Sequence, residues 1–127
     1  NPLTPAAYRT AQGGAESVDI AAINNEEQAI SVIKKLKQKG CKIITTSSHF
    51  TENTTSIYSP KASEVFLPTH PVVLLVGNER DGVSPALAAQ ADASIRIPST
   101  GWVESLNVVQ AAAVIFGELW RARGGSL

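Results

Sequence analysis

The sequence predicts one α/β domain in which a mostly parallel sheet is flanked by helices, and three observations support that prediction. Apolar segments of strand length alternate along the chain with amphipathic segments of helix length. Residues 72–76 are apolar at every position, as expected for a strand in the middle of a sheet that helices cover on both faces. The 127 residues match one ordinary domain, and neither a linker nor an internal repeat divides them.

The first half of the chain is expected to hold two strands and one helix. Residues 1–16 are predicted to form a loop, and the alternating residues 17–23 a short strand. A helix is predicted over residues 26–39, because an Asn cap and acidic residues stand at its start and lysines followed by Gly40 at its end. Residues 42–46 are predicted to form the next strand.

The second half continues the alternation of strand and helix. Residues 47–61 are polar and are predicted to form a loop, and residues 72–76 the strongest strand. A short helix is predicted over residues 85–90, with a proline in its first turn. Residues 93–97 predict a strand that a proline ends, and residues 105–123 a long helix rich in Ala and Val.

The composition excludes several classes of protein. Hydrophobic residues make up 43% of the chain and charged residues 17%, so it is neither fibrous nor wholly disordered. The 11 basic and 11 acidic side chains cancel, so a nucleic-acid partner would need a local basic patch. The lone Cys41 excludes a disulfide framework and is expected to be a small buried residue. No apolar run is long enough to cross a bilayer, which argues against a membrane protein.

Three loops are placed to form a ligand site, since ligands of open parallel sheets bind beyond the carboxyl ends of the strands. They are residues 45–48, 77–84 and 98–107. The middle loop follows the buried strand directly, and its two glycines permit close backbone approach to a ligand. Residue types alone leave open whether it is a cofactor turn or a plain connection from strand to helix. Ser105 in the third loop is equally compatible with a helix N-cap.

Several familiar chemistries lack their sequence patterns. The middle loop has neither the GxGxxG spacing of dinucleotide folds nor the GxxxxGK[ST] of a P-loop. His49 and His70 lie in separate loops without further ligands at metal-binding spacing, so no metal site is expected. No GxSxG supports a Ser-His-Asp triad, although the residue types alone do not exclude one.

Two segments, in this order, resemble the second and third signature motifs of the SpoU, or TrmH, family of SPOUT methyltransferases. They are VVLLVGNERDGVS at residues 72–84 and IRIPSTGWVESLNVVQ at residues 95–110. Both stand at the family's separation and on the expected secondary structure. Residues 3–16 resemble the segment that follows the first motif in the branch that methylates guanosine in large-subunit rRNA. The resemblance therefore covers nearly the whole chain.

The resemblance implies an enzyme that transfers a methyl group from S-adenosyl-L-methionine to a ribose 2′-hydroxyl of RNA. A guanosine of large-subunit rRNA is the expected target, and a tRNA ribose methyltransferase or a non-catalytic RNA-binding module that retains the knot are the alternatives. The family fold carries a deep trefoil knot in its C-terminal half, an exception to the usual rule against knots. Such proteins usually work as homodimers through the knot and the last helix, without metal or membrane, in the cytoplasm or in an organelle such as the mitochondrion.

The resemblance also assigns site residues by motif position. Of the residues expected to bind the cofactor, Gly77, Ile97 and Leu106 act largely through backbone groups, Asn78 shapes the loop of the second motif, and Thr45 contacts the adenosine end. The expected catalytic set consists of Glu79, which also shapes that loop, and of Ser105 and Asn107, which lie where cofactor and ribose meet. Side chains available to contact phosphate are Lys34, Lys35, Lys37, Lys39, Arg80, Arg96, Arg121 and Arg123, although the lysine run is typical of a solvated helix face.

The sequence departs from the family pattern at its beginning. The first motif contributes an Asn and the Arg usually assigned to activate the 2′-hydroxyl, and it would lie before residue 1. Arg9 aligns with a later basic position of the loop segment and does not take that role. Ala11 replaces a family Ser, and Gly14 stands where Ala is usual. Residues 1–127 are thus expected to form a SPOUT methyltransferase domain that is incomplete at its N-terminus.

Overall fold

A computed structural model of the chain describes residues 5–6, 9, 12, 14, 17–46, 54–66, 70–77, 82–98 and 108–125. The strands within these ranges are β1 (Lys42–Thr46), β2 (Thr54–Ser56), β3 (Val72–Leu75) and β4 (Ala93–Arg96). The helices of four residues or more for which these same ranges give bounds are α1 (Glu26–Gln38), α2 (Pro60–Val65), α3 (Pro85–Ala88) and α4 (Val108–Ala122).

The strands form one sheet in the order β2-β4-β1-β3, and every described pair is parallel. On β1, Thr45 is in register with Leu75 of β3 and with Ser94 of β4. The strand β4 is the last of the four along the chain, yet it lies between β1 and β2. Because all four strands run the same way, the loops that leave them meet at one edge of the sheet, here called the carboxyl edge.

Local sequence accounts for α1. The Asn25 side chain accepts a hydrogen bond from the backbone N–H of Gln28 at 2.8 Å, which satisfies one of the free donors of the first turn. Acidic residues occupy the first turn and lysines the last, in agreement with the helix dipole. Gly40 then adopts φ +92°, a left-handed conformation that stops the helix and that glycine adopts readily. The predicted helix is confirmed to within one residue.

Residues on both faces of β1 are buried, and the main hydrophobic cluster lies on one of these faces. On one face, Ile44 and Ile95 of the sheet pack with Ile115 of α4 and with a group from the β2–α2 region: Ile57, Ala62 and Phe66. Ile43 alternates to the opposite face, is fully buried, and lies on the strand that α1 contacts. Each such isoleucine contributes about 1.5–3 kcal/mol by leaving water.

Two sequence predictions about strands are wrong. Residues 17–23 form no strand, and their apolar members Val18, Ile20 and Ile23 are exposed. An alternating pattern needs a neighbouring strand for its hydrogen bonds, and no strand pairing is recorded for this segment within the described residues. The strand β3 was expected in the middle of the sheet, but it pairs with β1 alone among the described strands and is only half-buried.

The central position belongs instead to β1, whose Ile43, Ile44 and Thr45 are buried. Part of the predicted loop at residues 47–61 is also ordered differently, because it contains β2 and the first turn of α2. Because its residues are polar, β2 has no sequence pattern typical of a strand. Pairing with β4 supplies the hydrogen bonds that stabilise it. Cys41, expected to be buried, is partly exposed.

Candidate active site

Three of the residues predicted to bind the cofactor meet at the carboxyl edge. Thr45 lies near the end of β1, Gly77 two residues beyond the end of β3, and Ile97 one residue beyond the end of β4. Because β1 lies between β3 and β4, the three positions stand on adjacent strands. The parallel sheet thus brings together residues that are 20 or more positions apart in the sequence.

The loop after β3 closes on itself at Gly77. A Cβ atom built on Gly77 would overlap the carbonyl group of Gly82 and the backbone nitrogen of Val83, so no side chain fits there. Gly82 itself has φ +65°, which favours glycine. The chain then enters α3, where the Ser84 hydroxyl accepts a hydrogen bond from Leu87 N at 3.3 Å. Both glycines of the middle loop are therefore required by its backbone.

Thr45 places a polar atom with unused hydrogen-bonding capacity at this edge. The residue is 7% exposed, and its Oγ1 has no hydrogen-bond partner in the part of the chain that the structure describes. A buried hydroxyl left without a partner costs about 1–3 kcal/mol. Such an atom at the end of a central strand is suited to a polar group of a ligand.

The side chain of Ile97 belongs to the packing of the core. The side chain packs against the core cluster that includes Ile44 and Ile95, and it is half-buried. The apolar side chain is therefore used for packing in the core. The backbone of Ile97 continues directly into Pro98 and the third loop. That Ile97 lines the site through its peptide groups stays a prediction.

The other predicted site residues lie outside the described residues. They are Asn78, Glu79, Ser105, Leu106 and Asn107, which include the whole predicted catalytic set. The described part of the site consequently belongs to the expected cofactor wall.

Sequence reasoning missed Asp92, which holds β1 in place from the opposite edge of the sheet. Its Oδ2 accepts a hydrogen bond from Ile43 N at 2.8 Å, and its own N–H donates to the Ile43 carbonyl at 2.7 Å. Lys37 of α1 lies 3.6 Å from Oδ1 and donates to the carbonyl of Gln90 at 3.0 Å. The sequence signal that could have identified Asp92 is the position of an acidic residue directly before a predicted strand. Asp92 ties helix, strand β1 and strand β4 together and so fixes the position of Thr45.

Other surfaces of the molecule are separate from these residues. An open groove of about 500 Å³ runs beside α4, and none of the predicted site residues lines it: Ile57, Tyr58, Ser59, Pro60, Glu118 and Arg121 do. The Arg121 guanidinium donates two hydrogen bonds to Oε2 of Glu118, at 2.9 and 3.0 Å, and these bonds together with the carboxylate charge raise the pKa of Arg121. Within the described ranges, no group of His, Cys, Asp and Glu could hold a metal ion, and no helix is long and apolar enough to cross a membrane.

The described elements define an α/β domain with a parallel sheet, a class of fold in which ligands bind at the carboxyl edge. Comparison with known families is more specific. The profile of the SpoU rRNA Methylase family matches residues 1–117, and the chain belongs to that family.

Individual relatives agree with this assignment. The 23S rRNA (guanosine-2′-O-)-methyltransferase RlmB of Pseudomonas syringae is 30% identical over 121 residues, which are 95% of this chain and 44% of the relative. The crystal structure of the TrmH/SpoU tRNA modifying enzyme of A. aeolicus is 32% identical with a TM-score of 0.74, covering 92% of this chain and 54% of that one. The chain spans less than half the length of the curated relatives it matches.

A third relative carries a ligand. The SpoU methyltransferase AviRb of Streptomyces viridochromogenes, solved in complex with the cofactor AdoMet, has a TM-score of 0.74 and is 26% identical, covering 96% of this chain and 44% of that one. These likenesses confirm the predicted α/β fold with a parallel sheet flanked by helices.

Proposed function

We propose that residues 1–127 act as the methyltransferase domain of an RNA ribose 2′-O-methyltransferase that uses S-adenosyl-L-methionine. The observation that carries the proposal is the closed backbone at Gly77, just beyond the strand next to β1, where the Thr45 hydroxyl has no hydrogen-bond partner among the described residues. Family membership and the AdoMet complex of AviRb support it. Since the relatives named above come from bacteria, we also propose that the protein acts in the cytoplasm.

The described residues fit the proposed cofactor. Gly77 permits the tight closure of the middle loop, and this closure would hold the peptide groups of the loop in place for a nucleoside. The Thr45 hydroxyl is available to hydrogen-bond the adenosine end. Asn78, Ile97 and Leu106 would complete the wall through their peptide groups. When bound, the cofactor supplies a methyl group on a positively charged sulfur.

The proposed catalytic set would act mainly by positioning. Methyl transfer requires the ribose oxygen to stand in line with the methyl group, and holding two reactants in such geometry contributes several kcal/mol. Glu79 and Asn107 would hold the ribose and the second-motif loop, and Ser105 would stand where ribose and cofactor meet. None of the three is the Arg that the family usually uses to activate the 2′-hydroxyl.

We propose a guanosine of large-subunit rRNA as the target, because the RlmB relative aligns over nearly the whole chain. A tRNA ribose is the second candidate, favoured by the likeness to the A. aeolicus tRNA modifying enzyme. Both target classes present the same chemical group, so the described cofactor wall serves either one.

We also propose that a second copy of the chain packs on α4. Phe116 and Trp120 are 56% and 61% exposed and stand one turn apart, so they form one apolar stripe. Gly117 between them has open space around its Cβ position, which permits close approach of a second helix. Burying this stripe in a homodimer would remove two large aromatic surfaces from water.

A knotted C-terminal half belongs to the same proposal. Its support is the position of β4, which comes last along the chain and is inserted between β1 and β2. A crystal structure of the chain with S-adenosylhomocysteine bound tests the knot and the cofactor wall together.

Two measurements on the full chain test the function. Isothermal titration with S-adenosylhomocysteine is expected to show one saturable site per chain. Labelled S-adenosylmethionine is then incubated with unmodified 23S rRNA and tRNA transcripts, and incorporation is expected at one nucleotide that resists alkaline cleavage. A folded protein that binds RNA but not S-adenosylhomocysteine would instead be the non-catalytic RNA-binding module. Incorporation into tRNA alone would select the second target.

A further inference from the structure

The basic residues of this neutral chain are concentrated at one place. Five of the 11 basic residues fall within residues 34–42, and no acidic residue lies in that segment. The segment runs from the last turns of α1 into the start of β1. Its side chains therefore gather where the strands begin, at the amino edge of the sheet, opposite the proposed active site.

Hydrogen bonds connect this segment with the end of α4. Cys41 N donates to the Leu36 carbonyl at 3.1 Å and so folds the turn back on α1. Lys42 N donates to the carbonyl of Pro71 at 2.8 Å, and the guanidinium of Arg123 donates to the carbonyl of the adjacent His70. Arg123 thereby joins the lysines, although it lies 81 positions beyond Lys42 in the sequence.

One lysine of the segment forms an ion pair within the described residues. Lys37 is held by Asp92 and by the carbonyl of Gln90. Four lysines and Arg123 remain exposed, and we call these five residues the amino rim: Lys34, Lys35, Lys39, Lys42 and Arg123. For them, no salt bridge is recorded in the described residues.

Helix stabilisation explains only part of the amino rim. A lysine in the last turn of α1, such as Lys35, interacts favourably with the negative end of the helix dipole. Lys42 belongs to β1, and Arg123 follows the end of α4 on the other face of the sheet. Three separate elements thus contribute positive charge to one edge, which a dipole effect on α1 does not require.

We propose that the amino rim binds the sugar-phosphate backbone of the RNA substrate at a distance from the nucleotide that reacts. This inference rests on the proposed function. The five residues of β1 separate the rim from the carboxyl edge by about 16 Å at about 3.3 Å per residue. The rim would therefore contact a different stretch of the RNA than the catalytic set does. Phosphate contacts of this kind raise affinity and orient the RNA without reading its sequence.

The test compares the unaltered full chain with a triple variant, Lys35→Gln, Lys39→Gln and Lys42→Gln. Binding of a labelled 23S rRNA transcript is followed by fluorescence anisotropy over a series of salt concentrations. Removing three phosphate contacts should raise Kd at least about tenfold at low salt and reduce the slope of log K against log salt by about two to three units. The affinity for S-adenosylhomocysteine should not change, because the rim lies at the opposite edge.

A matched control distinguishes the effect of a lysine's position from the effect of the protein's total charge. Lys61 is an exposed lysine at the start of α2, outside the amino rim. The single variant Lys39→Gln should weaken RNA binding and lower the salt slope by about one, whereas Lys61→Gln should change neither.

The outcomes separate this inference from the proposed function. If the unaltered protein methylates RNA and the triple variant binds RNA as tightly with the same salt slope, the amino rim is wrong and the function stands. If the unaltered protein binds RNA but does not methylate it, the function is wrong, and weaker binding by the triple variant still supports the rim. Equal losses in Lys39→Gln and Lys61→Gln would also overturn the rim, since the effect would then follow total charge.

Discussion

The carbonyl group of Gly82 occupies the space that a side chain at Gly77 would fill. Gly77 begins the middle loop, residues 77–84, and Gly82 lies near its end. The contact between them brings the two ends of the loop together. Asn78 and Glu79, which lie between the two glycines in the sequence, are outside the described residues. This contact connects a feature of the sequence, two glycines five positions apart, with the proposed cofactor wall.

Replacing Gly77 by Ala is expected to open this loop. The new methyl group cannot coexist with the Gly82–Val83 peptide, so the backbone must move. We expect the Kd for S-adenosylhomocysteine to rise at least about tenfold, which corresponds to about 1.4 kcal/mol, measured by isothermal titration.

The control for Gly77→Ala is Gly40→Ala. Gly40 has open space around its Cβ position but a left-handed φ, so this variant should lose about 1–2 kcal/mol of stability through backbone strain and keep its cofactor affinity. Equal affinity in both variants would contradict the role of Gly77.

Thr45→Val separates ligand binding from stability. The substitution removes a buried hydroxyl that lacks a partner in the described part of the chain, so the free energy of unfolding should stay equal or increase by about 1 kcal/mol. The same change should weaken S-adenosylhomocysteine binding about three- to tenfold by deleting one neutral hydrogen bond. Urea unfolding and calorimetric titration measure the two effects. Thr55→Val on β2 should leave cofactor affinity unchanged, and a loss of stability without loss of affinity in Thr45→Val would refute its ligand role.

Alanine at Asn107 or at Glu79 should reduce methyl transfer about 100-fold or more, because misplaced reactants forfeit the advantage of alignment. The melting temperature and the affinity for S-adenosylhomocysteine should remain close to those of the unaltered protein. Single-turnover incorporation of labelled methyl groups is the appropriate measurement. Full activity in both variants would remove them from the catalytic set.

Asp92 is expected to matter more as a hydrogen-bond acceptor than as a charge. Asp92→Ala leaves the buried N–H of Ile43 without its acceptor and should cost about 1–3 kcal/mol of unfolding free energy. Asp92→Asn retains an acceptor and loses mainly the partly exposed ion pair with Lys37, worth about 0–1 kcal/mol. Urea denaturation of both variants decides the matter, and equal losses would assign the effect to the ion pair.

The exposed stripe on α4 should control oligomeric state. The double variant Phe116→Ser and Trp120→Ser should convert a dimer to a monomer in analytical ultracentrifugation, because the stripe supplies the proposed contact. Tyr58→Ser removes an aromatic side chain that is 65% exposed elsewhere on the surface and should leave the dimer intact. A monomeric unaltered protein would disprove the proposed interface.

Helix α1 illustrates what local sequence can predict. Asn25, the first-turn acids, the apolar stripe and Gly40 act through contacts within a few residues, so their effect can be read without knowledge of the rest of the fold. The strands β1, β3 and β4 were found for a related reason, since short apolar runs mark segments that helices will cover. The family motifs added the site residues, which no local pattern specified.

The pairing between strands is harder to predict from the sequence than a helix is. Residues 17–23 alternate like a strand but lie outside the described sheet. The polar strand β2 lies within the sheet because it pairs with β4. A strand is stabilised by hydrogen bonds to a partner that is distant in the sequence. The residues of one strand therefore do not show whether a partner strand is present.

The sequence by itself determined the α/β class, the capped helix, most of the strands and the family to which the chain belongs. Only the tertiary structure decided the order β2-β4-β1-β3, the central place of β1, and the nearness of Thr45, Gly77 and Ile97. It alone closed Gly77 on Gly82 and joined Arg123 to the lysines of α1 and β1. The physical reason is range: caps, turns and apolar periodicity act between neighbours in the chain, whereas sheet order, burial and charge clustering arise when distant segments meet.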